Sequence, residues 1–232
     1  MLRLTPILLA ILYGLIAYRF SVWRTQKELD ARSTELADPR ILAVTARLAR
    51  ALDLPRIRVH IYEIDPVNGL AAADGRIFIT RGFYNQFRQG NVTADELGSV
   101  IAHELGHVAL GHSRRRMIDF SGQNALRTAL GLMLAKLIPG IGIMIASAVT
   151  SMVAARLSRS DEYEADAYAA ALLTKAGIGT APQKSLFEKL GQLTGGRRGA
   201  VPAWMMSHPD TGQRIAAIDK LEAGWAKKDH LT

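Results

Sequence analysis

The sequence predicts an α+β fold, mainly helical, with a small antiparallel sheet and an N-terminal membrane anchor helix. Strand-like alternation is confined to residues 56–80, apolar residues recur at helical spacing over most of the chain from residue 82 onward, and an uncharged apolar run opens the chain. The length of 232 residues suits one domain with something appended, since a single core occupies about 100–200 residues. Apolar residues at 49% and charged residues at 22% exclude a disordered chain and a polytopic bundle hydrophobic from end to end. There is no cysteine. Disulfide frameworks, thiol chemistry and Cys-based zinc sites are thereby excluded, leaving histidines and carboxylates to bind a metal.

Leu4 to Tyr18 is uncharged. If Arg19 snorkels, the apolar stretch continues through Phe20, Val22 and Trp23 to about 20 residues, enough to cross a bilayer with Tyr18 and Trp23 at the interface. Tyr18-Arg19-Phe20 stands where a small-x-small cleavage site would close a secretion signal. Residues 1–23 therefore read as an uncleaved anchor in preference to a signal-like segment. Arg3 and the amino terminus on one side against Arg19, Arg24 and Lys27 on the other give a slight bias towards a cytoplasmic C-terminal domain.

Residues 24–37, polar and mixed in charge, read as a linker or a helix continuing from the anchor. Asp38-Pro39 opens an apolar-periodic helix through about Leu52, so the folded domain spans 38–232. Ile57, Val59 and Ile61 alternate, Asn68-Gly69 and Asp74-Gly75 are turn dipeptides, and Arg76 to Thr80 alternates again, which gives the antiparallel sheet. Helices follow near 82–89, 94–112, 115–138, 141–175 with a possible break, 182–193 and 211–226. Leu137 to Ala155 is uncharged but holds Pro139, Gly140, Gly142, Ser147, Thr150 and Ser151. It reads as helix packed on the domain or dipping into the membrane interface, in preference to a second span. The 29 Lys and Arg, net charge +8, are scattered apart from Arg114-Arg115-Arg116. That distribution suits a membrane surface, and no nucleic-acid partner is expected.

Thr93-Ala94-Asp95-Glu96 is a helix start, and within the helix lies His103-Glu104-Leu105-Gly106-His107. Residues four apart project to one side of a helix, so both imidazoles can share a tetrahedral zinc while Glu104 reaches a metal-bound water. Glu104 can take the proton of that water and return it to a leaving amine. With 6 His among 232 residues, chance produces roughly 0.006 such patterns, so the motif outweighs the bland alternative of polar residues on an exposed face. His112 lies about 140° further round an ideal helix than His107, which argues against its binding the same metal. Carboxylates for a third ligand come from Asp161-Glu162-Tyr163-Glu164-Ala165-Asp166. Glu162 and Asp166 form an i, i+4 pair that allows Glu162 to bind zinc and Asp166 to support a ligand or a nearby Arg from behind, but spacing alone does not exclude Asp161 or Glu164. His60 and His230 look structural or solvated.

The His103–His107 motif, Arg159-Ser160 leading into Asp161 to Asp166, and Ser207-His208-Pro209 with Arg214 together resemble the HtpX and CAAX prenyl protease group of zinc metalloproteases, metallopeptidase family 48, over about residues 40–222. The resemblance implies a zincin-like (gluzincin) domain holding one Zn²⁺ per chain, with Glu162 as third ligand beside His103 and His107. It implies Glu104 as the catalytic base, His208 as a candidate for transition-state stabilisation or gating, and Arg214 as partner of Asp166. Asn68, Gly69, Leu70, Ala71 and Ala72, within the segment Asn68 to Thr80, are similar to the family's substrate-binding edge strand, where an extended peptide would pair. From its own residues, a His before Pro ahead of Asp210 could equally be a structural helix junction. With a single clear N-terminal span, the chain looks closer to a singly anchored member acting in membrane or envelope protein quality control than to a multispan prenyl-protein processor. The expected partners are polypeptides, misfolded or membrane proteins among them, and membrane lipid. The rival class is a zinc-stabilised, non-proteolytic adaptor or chaperone, against which Glu104 argues, since a purely structural zinc site has no use for a base beside a ligand.

Overall fold

The structure is a computed structural model that describes residues 5–72, 74–112, 138, 141–193, 208 and 211–229. The helix expected over 115–138, the Arg114–Arg116 run and the Gly-rich segment at 195–199 lie outside the described residues, residue 138 excepted. Two compact units are formed, residues 1–33 with 116–154 and residues 34–115 with 155–232.

In the first unit, helix α1 (Thr5–Ala31) carries the N-terminal apolar run and continues into residues read from sequence as linker or extending helix. Leu12, Ile16, Phe20 and Trp23, spaced along one face, are all exposed. Among the described residues no helix is long and apolar enough to cross a membrane.

The second unit holds the site. Its sheet comprises β1 (Ser33–Glu35), β2 (Val59–Tyr62), β3 (Gly69–Ala71) and β4 (Ile77–Thr80) in the order β1-β2-β4-β3. It is mixed, which corrects the all-antiparallel expectation: β3 pairs antiparallel with β4, but β2 runs parallel to β4 with Val59 opposite Ile77. The cause is that Asn68-Gly69 is no turn. Gly69 already pairs with Ile79, and the Asn68 carbonyl accepts from the Thr80 amide at 3.0 Å. The hairpin closes instead at Asp74-Gly75, where the Ala72 amide donates to the Arg76 carbonyl at 2.9 Å. The connection from β2 therefore passes over the slot that β4 fills, and β3 is left as an outer strand.

Five helices complete this unit: α2 (Pro39–Ala51), α3 (Arg81–Arg88), α4 (Ala94–Ala109), α6 (Ala181–Leu193) and α7 (Thr211–Asp229), with α5 (Gly142–Lys175) contributing its C-terminal part. Asp38 caps α2 by accepting from the Arg40 amide, with Pro39 at the first helical position. Ile41, Val44 and Leu48 then fall on one buried face together with Leu97 and Ile101 of α4. The break considered for 141–175 does not occur, since α5 is one helix. The helix expected through residue 112 does end early: α4 stops at Ala109, and Gly111 adopts φ +68°, a left-handed conformation open to glycine, which turns the chain.

At its start α4 is fastened by a capping box. The Glu96 amide donates to Thr93 Oγ1 and the Thr93 amide to Glu96 Oε2. The buried Glu96 carboxylate also accepts from Ser185 Oγ at 2.7 Å and from Lys189 Nζ at 2.9 Å, both on α6. One end of the helix is thus pinned to the next helix before the motif begins.

Candidate metal centre

His103, Glu104 and His107 project from the C-terminal half of α4 and are all buried. Helix α5 crosses α4 closely at Gly106, where a Cβ would meet the Ala165 carbonyl oxygen at 3.0 Å and Ala165 Cα at 3.1 Å. The absence of a side chain there lets the acidic stretch of α5 come against the histidines. His103 Nε2 and His107 Nε2 face each other at 3.1 Å, and Glu162 presents Oε2 to the first at 3.4 Å and Oε1 to the second at 3.5 Å. His208 Nδ1 enters the same group, 2.5 Å from Glu162 Oε2 and 3.3 Å from His103 Nε2.

The donor set fits a metal. Nitrogen and oxygen atoms bonded to a tetrahedral zinc at about 2.0–2.1 Å stand about 3.3–3.4 Å apart, close to the separations of the two Nε2 atoms and Glu162. Two imidazole nitrogens turned towards each other in a buried site also need a shared cation, or a proton on one of them, to relieve facing lone pairs. Glu104 Oε1 is buried and accepts no hydrogen bond among the described residues. His208 Nε2 stands 3.5 Å from it.

Behind His103 lies a closed network. Its Nδ1 is 2.9 Å from Asp166 Oδ1, and Arg214 donates to both Asp166 oxygens, from Nε at 2.6 Å and from a terminal nitrogen at 2.7 Å. Arg214 also reaches the His208 carbonyl at 3.4 Å and stacks its guanidinium over Phe187 at 4.4 Å. Burial disfavours an imidazolium at His103, but the hydrogen bonds it donates to Asp166 and Glu162 outweigh that and raise its pKa to about 9. Burial likewise opposes charge on Asp166 and Glu162. Arg214 and His103 nevertheless lower the pKa of the first, and His103 and His208 that of the second. The cluster is thus poised to hold a cation at its centre.

Of the carboxylates in residues 161–166, Glu162 alone faces the Nε2 atoms of both His103 and His107. Asp161 and Glu164 face His112, at 3.9 and 3.3 Å from its Nε2. Sequence reasoning set His112 aside because an ideal helix carries it away from His107, yet the turn at Gly111 returns it to 2.8 Å from His107 Nδ1. Gln183, whose side-chain amide reaches the Asp166 carbonyl at 3.4 Å, carried no sequence signal.

A buried cluster of His103, His107, Glu162 and His208 that could hold a metal, with the Glu104 carboxylate beside it, in a mostly helical domain with a small sheet, is the arrangement of a metallopeptidase. The chain belongs to peptidase family M48, whose sequence profile matches residues 35–222. Similar proteins include Metalloprotease LoiP of Escherichia coli (strain K12), 29% identical over 216 residues, covering 87% of this chain and 79% of LoiP. Metalloprotease YcaL of the same organism is 29% identical, covering 80% of this chain and 70% of YcaL. Protease HtpX of Pasteurella multocida (strain Pm70) is 28% identical, with 75% and 70% covered.

Proposed function

We propose that the chain is a membrane-anchored zinc endopeptidase in which His103, His107 and Glu162 hold the metal and Glu104 is the general base and then the general acid. The observation that carries this reading is the buried Oε1 of Glu104, which accepts no hydrogen bond among the described residues, beside the cluster that could hold a metal. Zinc, when bound, acts as a Lewis acid that activates a water and polarises the scissile carbonyl. Glu104 accepts the proton released as the water attacks and passes it to the departing amine. His208, held through its carbonyl by Arg214 and standing 3.5 Å from Glu104, is positioned to donate to the developing oxyanion. Asp166 accepts from His103 Nδ1 and so keeps the proton off Nε2, while Arg214 holds Asp166 in place.

The substrate backbone docks along β3, the outer strand, with Asn68 to Ala72 offering main-chain groups to an extended peptide. Gly69 supports this placement, because a Cβ there would lie 2.7 Å from Val100 Cγ1 and 3.4 Å from Glu104 Oε1. The strand therefore runs beside the base. The apolar run on α1 and its exposed Leu12, Ile16, Phe20 and Trp23 support anchoring of residues 1–23. An anchored endopeptidase that takes extended backbone suits the clearance of misfolded and membrane polypeptides.

The test is metal content together with casein cleavage by the full chain in detergent, wild type beside Glu104→Gln. One zinc per chain in both, with cleavage about 10²–10⁴-fold lower in the variant, is the expected outcome. Turnover by Glu104→Gln at the wild-type rate overturns the mechanism, and zinc without cleavage in the wild type points to the adaptor.

A further inference from the structure

We propose that His112 is the positioning residue of His107, fixing the tautomer in which His107 Nε2 presents its lone pair to the metal, and that Asp161 and Glu164 serve His112 and hold no second ion. The proposal rests on the reading of His107 as a metal ligand.

His112 is fully buried, with 0% of its surface exposed, although it lies beyond the end of α4. Gly111 at φ +68° places it there, so that its Nδ1 faces His107 Nδ1 at 2.8 Å with the two rings crossed at 71°. Its other nitrogen, Nε2, lies 3.3 Å from Glu164 Oε2 and 3.9 Å from Asp161 Oδ1. Both nitrogens of a fully buried imidazole are therefore directed at specific partners, one of them the back of a proposed metal ligand.

Proton counting assigns the roles. Two Nδ1 atoms at 2.8 Å share one proton. If His107 Nε2 is to bind a cation, the neutral ring carries its proton on Nδ1 and donates it, so His112 Nδ1 accepts. His112 then carries its own proton on Nε2, and the carboxylates of Glu164 and Asp161 are the acceptors that favour that tautomer. The opposite arrangement, with His112 donating, would leave His107 protonated at Nε2 and unable to ligate. The same count bears on His112, Asp161 and Glu164 as a metal-binding group, for which their ligand atoms are close enough. An ion there would need the lone pair of His112 Nε2, hence a proton on His112 Nδ1, hence a blocked His107. The two sites compete for one proton, and the buried four-residue cluster wins it.

The test uses the full chain in detergent, with Zn²⁺ affinity measured by competition with a chromogenic chelator. His112→Phe keeps the ring and removes the acceptor, and should lose about 10–100-fold in Zn²⁺ affinity. His112→Asn, whose amide oxygen can stand where Nδ1 stood, should recover most of that loss, although it is the poorer substitute for the packed ring. A merely structural role predicts the reverse order. Nitrogen-15 NMR of the zinc-loaded wild type, which needs no variant, should show His112 as the Nε2–H tautomer. Wild-type affinity in His112→Phe, an Nδ1–H tautomer at His112, or two zinc ions per chain would each overturn the proposal while leaving the site reading intact. A wild type that binds no zinc would overturn the site reading and this proposal with it.

Discussion

His103 and His107 sit one turn apart on the same helix, and their outer nitrogens are held in different ways. Behind His103 is an ionic pair, Asp166 with Arg214, both at most 1% exposed and drawn from α5 and α7. Behind His107 is a second imidazole, that of His112, backed by Glu164, whose side chain is 44% exposed. One arm is buried charge sealed on all sides and the other is a relay that ends near solvent. The difference teaches that an identical ligand type can be oriented at very different cost: a sealed ion pair ties the metal site to the stability of the whole domain, whereas an imidazole relay ties it to little else.

That contrast can be broken most sharply at the sealed arm. Asp166→Leu strands the Arg214 guanidinium in the interior, and should cost about 3–5 kcal/mol of stability, read by thermal unfolding of the metal-free chain. An unfolding midpoint close to wild type would show that the pair is dispensable to the fold. At the relay arm, His112→Phe removes the acceptor of one His107 N–H and should cost about 1–3 kcal/mol. Its loss should thus fall below that of Asp166→Leu, and equal losses would erase the distinction.

Glu96 tests whether α4 as a whole, and not either arm, sets metal affinity. Glu96→Ala removes half of the capping box and the acceptor of Ser185 and Lys189, for an expected loss of about 1–2 kcal/mol. Zn²⁺ affinity should hold, and a fall beyond tenfold would mean that the N-terminal anchorage of α4 reaches the site. The pH dependence follows from the same carboxylate. Burial opposes its charge, but Lys189, Ser185 and the Thr93 amide hold its folded pKa below the ordinary 4.5. Its contribution is fully present above about pH 4.5 and is lost as the pH falls through the lowered folded value. Urea unfolding of wild type and Glu96→Ala should therefore converge as the pH falls below 4.5, and a gap unchanged at pH 3 would contradict the assignment.

The smallest effect is expected at Gly111. Gly111→Ala places a Cβ on a left-handed residue where it meets nothing within 4 Å among the described residues, so the cost is conformational, about 1 kcal/mol. It should weaken Zn²⁺ binding less than His112→Phe does, since His112 is displaced and not removed.

Much of this was legible in the residues. The pairing of His103 with His107 follows from helical geometry, as does the placing of Glu162 and Asp166 on one face of α5, because i, i+4 spacing is a local property. The helices at 82–89, 94–112 and 182–193 stand within a few residues of where apolar periodicity put them. The sheet was misread because a turn dipeptide reports local willingness to bend, and Asn68-Gly69 was taken up into a strand by pairing with residues that follow it. His112 was set aside because helical phase was extended across a glycine that ends the helix.

Taken alone, the sequence determined the chemistry available: two histidines and a base on one helix, carboxylates on another, no thiols and an apolar N-terminus. Only the tertiary structure decided which carboxylate turns to the histidines, which pair seals His103, and that His112 stands behind His107. Those choices depend on where α5 crosses α4 at Gly106 and how the chain turns at Gly111. A crossing point is set by packing between segments distant in sequence, here Gly106 against Ala165, and local spacing carries no record of it.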